Sequence, residues 1–357
     1  MKRAVLLIPF LWTSAAFPAP PPSENQSEIR ASEGCGTQPL AKPGRTATLF
    51  MKVGELEREA RVHLPREYEA DRPSSLVLDF HGYTGTAADE ELNTTGFSRH
   101  ADEHGYIIVY PQGTGFLTEA GARITSWNDL AGNASPGPEG PICSETAFRY
   151  PHPPECGEPQ PCNWASCHDD IGFVAHLLDQ LEEALCIDLD RVYATGMSNG
   201  GMFVHRLGCA MPERFAAIAP VSGTLARGFN CAPEKSTPLS MMNIYGSRDD
   251  YVALDGTMSS DGYYYTSARD VTNKWASSES QSCDPEPTTF QTSKDGTLSL
   301  ACTQHASCST GAEVVNCTWD GAHNWPKDEA HDFGNEIIWE FFSRHSRAKY
   351  PSVSEAE

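Results

Sequence analysis

Residues 191–207 read RVYATGMSNGGMFVHRL. An apolar run, Val192 to Thr195, leads into a turn flanked by glycines, and Phe203, Val204 and Leu207 then recur at helical spacing. The turn Gly196-Met197-Ser198-Asn199-Gly200 fits the Gly-x-Ser-x-Gly pattern. A serine on such a sharp strand-to-helix turn is thrust out of the backbone, and a Cβ two residues away on either side would collide with neighbouring chain. The pattern alone is weak, with roughly 0.2 matches expected by chance in a chain this long. Its context, after a strand and before a helix, is what the chemistry of a nucleophile requires.

The same rhythm recurs on both sides of this stretch. Leu76 to Phe80 and Tyr106 to Tyr110 are apolar runs ending near glycine, which predicts buried central strands. Further strands are expected at Ala216 to Val221, Met241 to Tyr245 and Glu313 to Thr318, with helices over Ile171 to Leu185, opened by Asp169 and Asp170, and over Glu329 to His345. Short strands alternating with helices predict an α/β fold with a central, mostly parallel sheet flanked by helices.

An activated serine needs a base and an acid that orients it, and in this fold they follow in the order Ser, Asp, His. Asp249 follows the Met241 to Tyr245 strand, and His323 lies in Asp320-Gly321-Ala322-His323-Asn324-Trp325-Pro326 beyond the next strand. Asp250 competes for the acid role but lies further from its strand. Backbone N–H donors for an oxyanion are expected from Asn199, at a helix N-terminus, and from Tyr83, in the loop His81-Gly82-Tyr83-Thr84-Gly85. Trp127, Trp164 and Trp325 are candidates to line a substrate cleft. His81 reads as a loop anchor. His100 and His104 have metal-binding spacing, but lack the Glu of a zincin and read as a surface helix; no metal or cofactor is expected.

The segments LVLDFHGYTG, VYPQGTG, SWND, DDIGF, RVYATGMSNGGM and GAHNWP together resemble the secreted esterases of carbohydrate esterase family one, the feruloyl esterase-like and poly(3-hydroxybutyrate) depolymerase-like α/β-hydrolases. The resemblance covers nearly all of residues 46–347 and implies an α/β-hydrolase fold and a serine esterase. It gives Ser198, Asp249 and His323 the triad roles and Tyr83 and Asn199 the oxyanion roles. It implies an ester of plant-type polysaccharide as substrate, a hydroxycinnamate ester first and a polyester second. The family's histidine loop reads Gly-Gly-His-x-Trp-Pro-Gly, whereas Ala322 and Lys327 stand here at two of the glycines.

Composition sets the surroundings. Lys2 and Arg3, an apolar run to Trp12 and small residues to Ala16 read as a signal peptide over residues 1–16, the run being too short to span a bilayer. Twelve cysteines in an exported chain predict disulfides, not a zinc cluster at Cys156, Cys162 and Cys167. Residues 17–45, rich in Pro, Ser and Glu, read as a flexible linker, 46–347 as one catalytic domain and 348–357 as a flexible tail. Within that domain, 132–167 is a Cys- and Pro-rich insertion expected to form a lid or rim. Asn25, Asn93, Asn133 and Asn316 open glycosylation sequons. A net charge of −22 disfavours nucleic acid and anionic membranes as partners, and a monomer is expected.

Overall fold

The computed structural model describes residues 29–349 apart from 130, 131, 133–135, 230, 234–236, 280, 295–297, 306 and 328–332. The expected signal peptide, the sequons at Asn25 and Asn133 and the tail beyond 349 lie outside the described residues. Among the described residues, twelve strands and six α-helices follow one another in the order β1 (Arg45–Val53), β2 (Leu56–Leu64), β3 (Ser74–Phe80), α1 (Ala87–Asp89), α2 (Phe97–His104), β4 (Ile107–Pro111), β5 (Thr114–Leu117), β6 (Arg123–Ser126), α3 (Asp170–Ala184), β7 (Ile187–Met197), α4 (Asn199–Ala210), β8 (Ala217–Val221), β9 (Ser240–Gly246), α5 (Ala268–Ala276), β10 (Thr288–Lys294), β11 (Leu298–His305), β12 (Val314–Trp319) and α6 (Phe333–Ser343).

Ten strands form one sheet in the order β1-β2-β4-β3-β7-β8-β9-β12-β11-β10. Its centre, from β4 to β12, is parallel, and an antiparallel flank closes each side. The strand period of two splits the interior into two cores. Leu76, Leu78 and Phe80 face a core shared with Phe173, Leu177 and Leu181 of α3, Phe203 and Leu207 of α4 and Trp275 of α5. Val77, Ile108, Tyr193 and Val315 face the other, with Phe97 and Ala101 of α2 and Ile337, Ile338 and Phe341 of α6. Truncating a fully buried leucine such as Leu78 to alanine would cost about 2–5 kcal/mol. Among the described residues no helix is long and apolar enough to cross a membrane.

Six disulfides use all twelve cysteines: Cys35–Cys186, Cys143–Cys162, Cys156–Cys167, Cys209–Cys231, Cys283–Cys308 and Cys302–Cys317. The first corrects the expected linker. From Ile29 onward the segment before β1 is tied down: besides that bond, Ala31 bridges Asp188, and the Ser32 hydroxyl donates to Leu185 O at 2.6 Å and accepts from Ile187 N. Composition alone gave this segment nothing to bury, because the partner of Cys35 lies 151 residues away. Asn316 is corrected as a glycan site. It lies inside β12, between β9 and β11, with its side-chain oxygen buried, while Asn93 is exposed.

Candidate active site

The site forms where β3, β7, β9 and β12 end along one edge of the sheet. Ser198 follows β7 and precedes α4 with φ 57° and ψ −122°, a backbone conformation that costs a non-glycine residue about 1–3 kcal/mol. What holds it is the crowding around it. A Cβ on Gly196 would stand 2.6 Å from the Phe80 carbonyl oxygen, and one on Gly200 only 2.0 Å from the same atom, so only glycine lets β3 and the turn lie together. Ser198 N–H also donates to Val221 O of β8 at 2.9 Å.

His323 stands between the other two residues. Its Nε2 is 2.9 Å from Ser198 Oγ and its Nδ1 is 2.7 Å from Asp249 Oδ2. Asp249, with a fully buried side chain, spends its other oxygen on the backbone N–H groups of Tyr251 and Val252, at 3.1 and 2.9 Å. Asp250 is exposed and takes no part. The aspartate and histidine loops are zipped together by Ser247 N–H to Trp319 O and Arg248 N–H to Gly321 O, both at 2.8 Å. Their close approach needs Gly246, where a Cβ would lie 2.3 Å from Ala322 O. Lys327 reaches across to the Asn93 and Thr94 carbonyls, 2.7 Å from each. Such a row can pass the serine proton to the imidazole while the carboxylate fixes its tautomer and steadies its charge.

The loop after β3 passes beside the serine, since a Cβ on Gly82 would touch Ser198 Cβ at 3.4 Å. His81 anchors it. The Gly113 N–H donates to His81 Nε2 at 2.9 Å, which puts the ring proton on Nδ1, where it donates to Gly82 O at 2.8 Å. Burial pushes this imidazole down to about 4, so it stays neutral and is no second base. Trp127 Nε1–H donates to His81 O, and the Asn199 amide brackets the Trp127 backbone, accepting from its N–H at 2.7 Å and donating to its carbonyl. Asp170 supports the same loop, accepting from Asn128 N–H and, in a buried ion pair, from Arg58, both at 2.8 Å. Removing one partner of that pair would cost about 3–5 kcal/mol.

Trp127 and Trp325 are corrected as cleft residues. Trp127 is fully buried, stacked on Phe203 and edge-on to Phe80. Trp325 packs against Phe97 and donates its indole N–H to Asn335 Oδ1 at 2.9 Å. Both loops turn these rings inward to fill the cores, so closeness to His323 in sequence did not mean closeness to substrate. Trp164 does line the cleft. A cavity of about 190 Å³ opens on Ser198 and His323, walled by Tyr83, Tyr150, Trp164, Met202, Tyr251, Val252, Asp261 and Tyr265.

The insertion supplies Tyr150 and Trp164 to that wall. Cys143–Cys162 and Cys156–Cys167 brace it, and backbone bonds from Ser144 to Gly262 and from Phe148 to Asp261 dock it on the segment after β9. Tyr150 O–H donates to Asp261 Oδ2 at 2.6 Å, and the Tyr83 ring meets both Tyr150 and Trp164 edge-on, with centroids 5.3 and 5.2 Å away. Burial raises the phenols of Tyr83, Tyr150 and Tyr265, which remain protonated. Sequence reasoning missed Tyr150, Tyr251, Asp261 and Tyr265; the aromatic run Tyr263-Tyr264-Tyr265 after Asp261 was the available signal. Cys156 and Cys167 stand beside His168 but are bonded to each other and so offer no thiolate to a metal.

No family model matches the sequence. Among curated proteins it is similar to feruloyl esterase C of Emericella nidulans, 25% identical over 96% of this chain and 99% of that protein. It is also similar to feruloyl esterase B of Piromyces equi, 23% identical over 81% of this chain, which spans 45% of that longer protein. Among solved structures, an acetyl xylan esterase from Aspergillus awamori has the same fold, with a TM-score of 0.50 and 14% identity over 84% of this chain and 99% of that one.

Proposed function

We propose that the chain, a feruloyl esterase-like serine carboxylic ester hydrolase of the α/β-hydrolase fold, releases hydroxycinnamates from cell-wall polysaccharide outside the cell, with Ser198, His323 and Asp249 as its triad. His323 takes the Ser198 proton as Oγ attacks the ester carbonyl. The N–H groups of Tyr83 and Asn199 receive the oxyanion, where one such donor is worth about 3 kcal/mol. The imidazolium then protonates the departing sugar oxygen, and water, activated by the same histidine, frees the acid from Ser198. Asp249 holds the histidine throughout.

The observation that carries the substrate is the cavity beside Ser198. At about 190 Å³ and rimmed by Tyr83, Tyr150, Trp164 and Tyr265, it suits one planar aromatic acyl group, offering edges and faces to a ring. The polysaccharide would remain outside. Six disulfides support folding in an oxidising compartment, in keeping with a signal peptide over residues 1–16, and a monomer is consistent with a site built wholly from one chain.

The test compares ferulate release from methyl ferulate with hydroxybutyrate release from a polyhydroxybutyrate film, for wild type and Ser198→Ala. Ferulate release that falls by on the order of 10⁴-fold or more in the variant is expected. Activity on the film alone would move the substrate to a polyester with the triad intact. Hydrolysis indifferent to Ser198→Ala would overturn the nucleophile.

A further inference from the structure

An ester has two sides, and the cavity beside Ser198 suits the acyl one. The place of the alcohol is fixed by chemistry. His323 Nε2, 2.9 Å from Ser198 Oγ, must hand a proton to the departing oxygen, so the alcohol stands beside the histidine ring. The aromatic side chain that meets that ring is Tyr251, with centroids 5.7 Å apart and planes at 46°. It lines the cavity yet is 49% exposed, whereas Trp164 and Tyr265 in the same wall are each 5% exposed. Much of the Tyr251 ring is therefore still open when the acyl group has filled the cavity.

The triad itself holds Tyr251 in this position. Asp249 takes the His323 ring through Oδ2, 2.7 Å from Nδ1, and the Tyr251 backbone N–H through Oδ1 at 3.1 Å, so both residues are referred to one buried carboxylate. Two other phenols of the wall spend their hydroxyls on the protein. Tyr83 O–H donates to Pro151 O at 3.1 Å, and Tyr150 O–H to Asp261 Oδ2 at 2.6 Å. Among the described residues the Tyr251 hydroxyl has no such partner.

We propose that Tyr251 determines specificity for the alcohol: its ring stacks on a neutral sugar that carries the ester, and its hydroxyl bonds to one of that sugar's free hydroxyls. This assignment rests on the hydroxycinnamate ester proposed as substrate. The C–H-rich face of a sugar is apolar and weakly positive, which suits the negative face of an aromatic ring, while the sugar's rim of hydroxyls suits the phenolic one. A methyl ester offers neither. Asp250, exposed next to Tyr251, and a net charge of −22 favour a neutral sugar over an acidic one. Stacking of this kind is made in the ground state and the transition state alike, so it shows in KM more than in kcat.

The experiment measures kcat and KM for methyl ferulate and for the ferulate esters of glucose and arabinose, each linked through its primary hydroxyl, with wild type, Tyr251→Phe and Tyr251→Ala. For wild type, KM for at least one sugar ester is expected about tenfold below that for methyl ferulate. Tyr251→Ala should erase that ratio whatever it does to methyl ferulate itself, and Tyr251→Phe, which keeps the ring, should give up about two- to threefold of it. If Tyr251→Ala instead loses kcat in equal proportion on all three esters and keeps the KM ratio, the ring only shields the His323–Asp249 pair and the assignment is overturned. A wild type with no preference for either sugar ester overturns it as well, while ferulate release from all three leaves the proposed acyl group standing. Release from none of the three would remove both.

Discussion

The cleft has a floor and a wall held by different means. The floor is the sheet edge, where Ser198, Asp249 and His323 sit on loops fixed by backbone hydrogen bonds and by glycines with no room for a Cβ. The wall is the insertion with the segment after β9, where Tyr150 and Trp164 are fixed by two disulfides and by ring contacts. A floor of that kind tolerates almost no change of geometry, which suits bond breaking. A wall tied at a few covalent points can change its side chains while its frame persists, and so it suits the choice of acyl group.

The sharpest break between the two should come from Asp249→Asn. An amide in that place leaves the shape intact but favours the wrong imidazole tautomer, and kcat should fall about 10⁴-fold with KM little changed. Steady-state kinetics on methyl ferulate would show it, and a loss under tenfold would return Asp250 to consideration. Freeing the wall with the double substitution Cys143→Ser/Cys162→Ser should act on selectivity. We expect kcat/KM for methyl ferulate to fall about 10- to 100-fold while an acetyl ester loses less than about threefold; equal losses on both would mean that the wall also supports the triad.

The floor also carries the pH response of the fold. Burial pushes Asp79, at the end of β3, up to about 8, with Glu90 raised beside it. A carboxyl raised above its unfolded value favours the folded state fully below that value, here 3.8, and the benefit is lost as pH climbs towards 8. Asp79→Asn, whose amide oxygen can still accept from Thr95, should therefore raise the melting temperature at pH 8 by a few degrees and leave it nearly unchanged at pH 4. His81, His205 and His345, buried and pushed down to about 4, 4 and 3, work at the acid side: their contribution is present above about pH 6.5 and is lost as pH falls through those values. The smallest effect belongs to the wall. Tyr150→Phe removes one hydrogen bond to Asp261, which keeps the Ser259 hydroxyl, and should raise KM for methyl ferulate by about threefold or less.

Legibility in the sequence follows the same division. β3, β4, β8, β9 and β12 are largely buried, so they read as short apolar runs, and the loops after β3, β9 and β12 located His81, Asp249 and His323, while the glycine-flanked turn after β7 located Ser198. β7 was read from Val192 only, because Asp188, Asp190 and Arg191 hide its start at Ile187. The β1–β2 hairpin, turning at Gly54, and the β10–β11 pair went unread because flanking strands mix polar and apolar residues on both faces. The wall was illegible for another reason. Tyr83, Tyr150, Trp164 and Tyr265 come from four separate stretches and meet only through tertiary packing, so no local pattern marks them, whereas the tryptophans that looked prominent were filling the cores.

Cys35–Cys186 orders events in time as well as space. Its loop closes 151 residues, against 11 for Cys156–Cys167, and on chain-entropy grounds it removes about 5 kcal/mol of freedom from the unfolded chain, compared with about 3. A ribosome delivers Cys35 long before Cys186, so the thiol must wait, unpaired, while β1 to β4 emerge. During that interval Cys143 is its first possible wrong partner, and the host's disulfide isomerase, more than the stability of the finished fold, would then set how much protein is recovered.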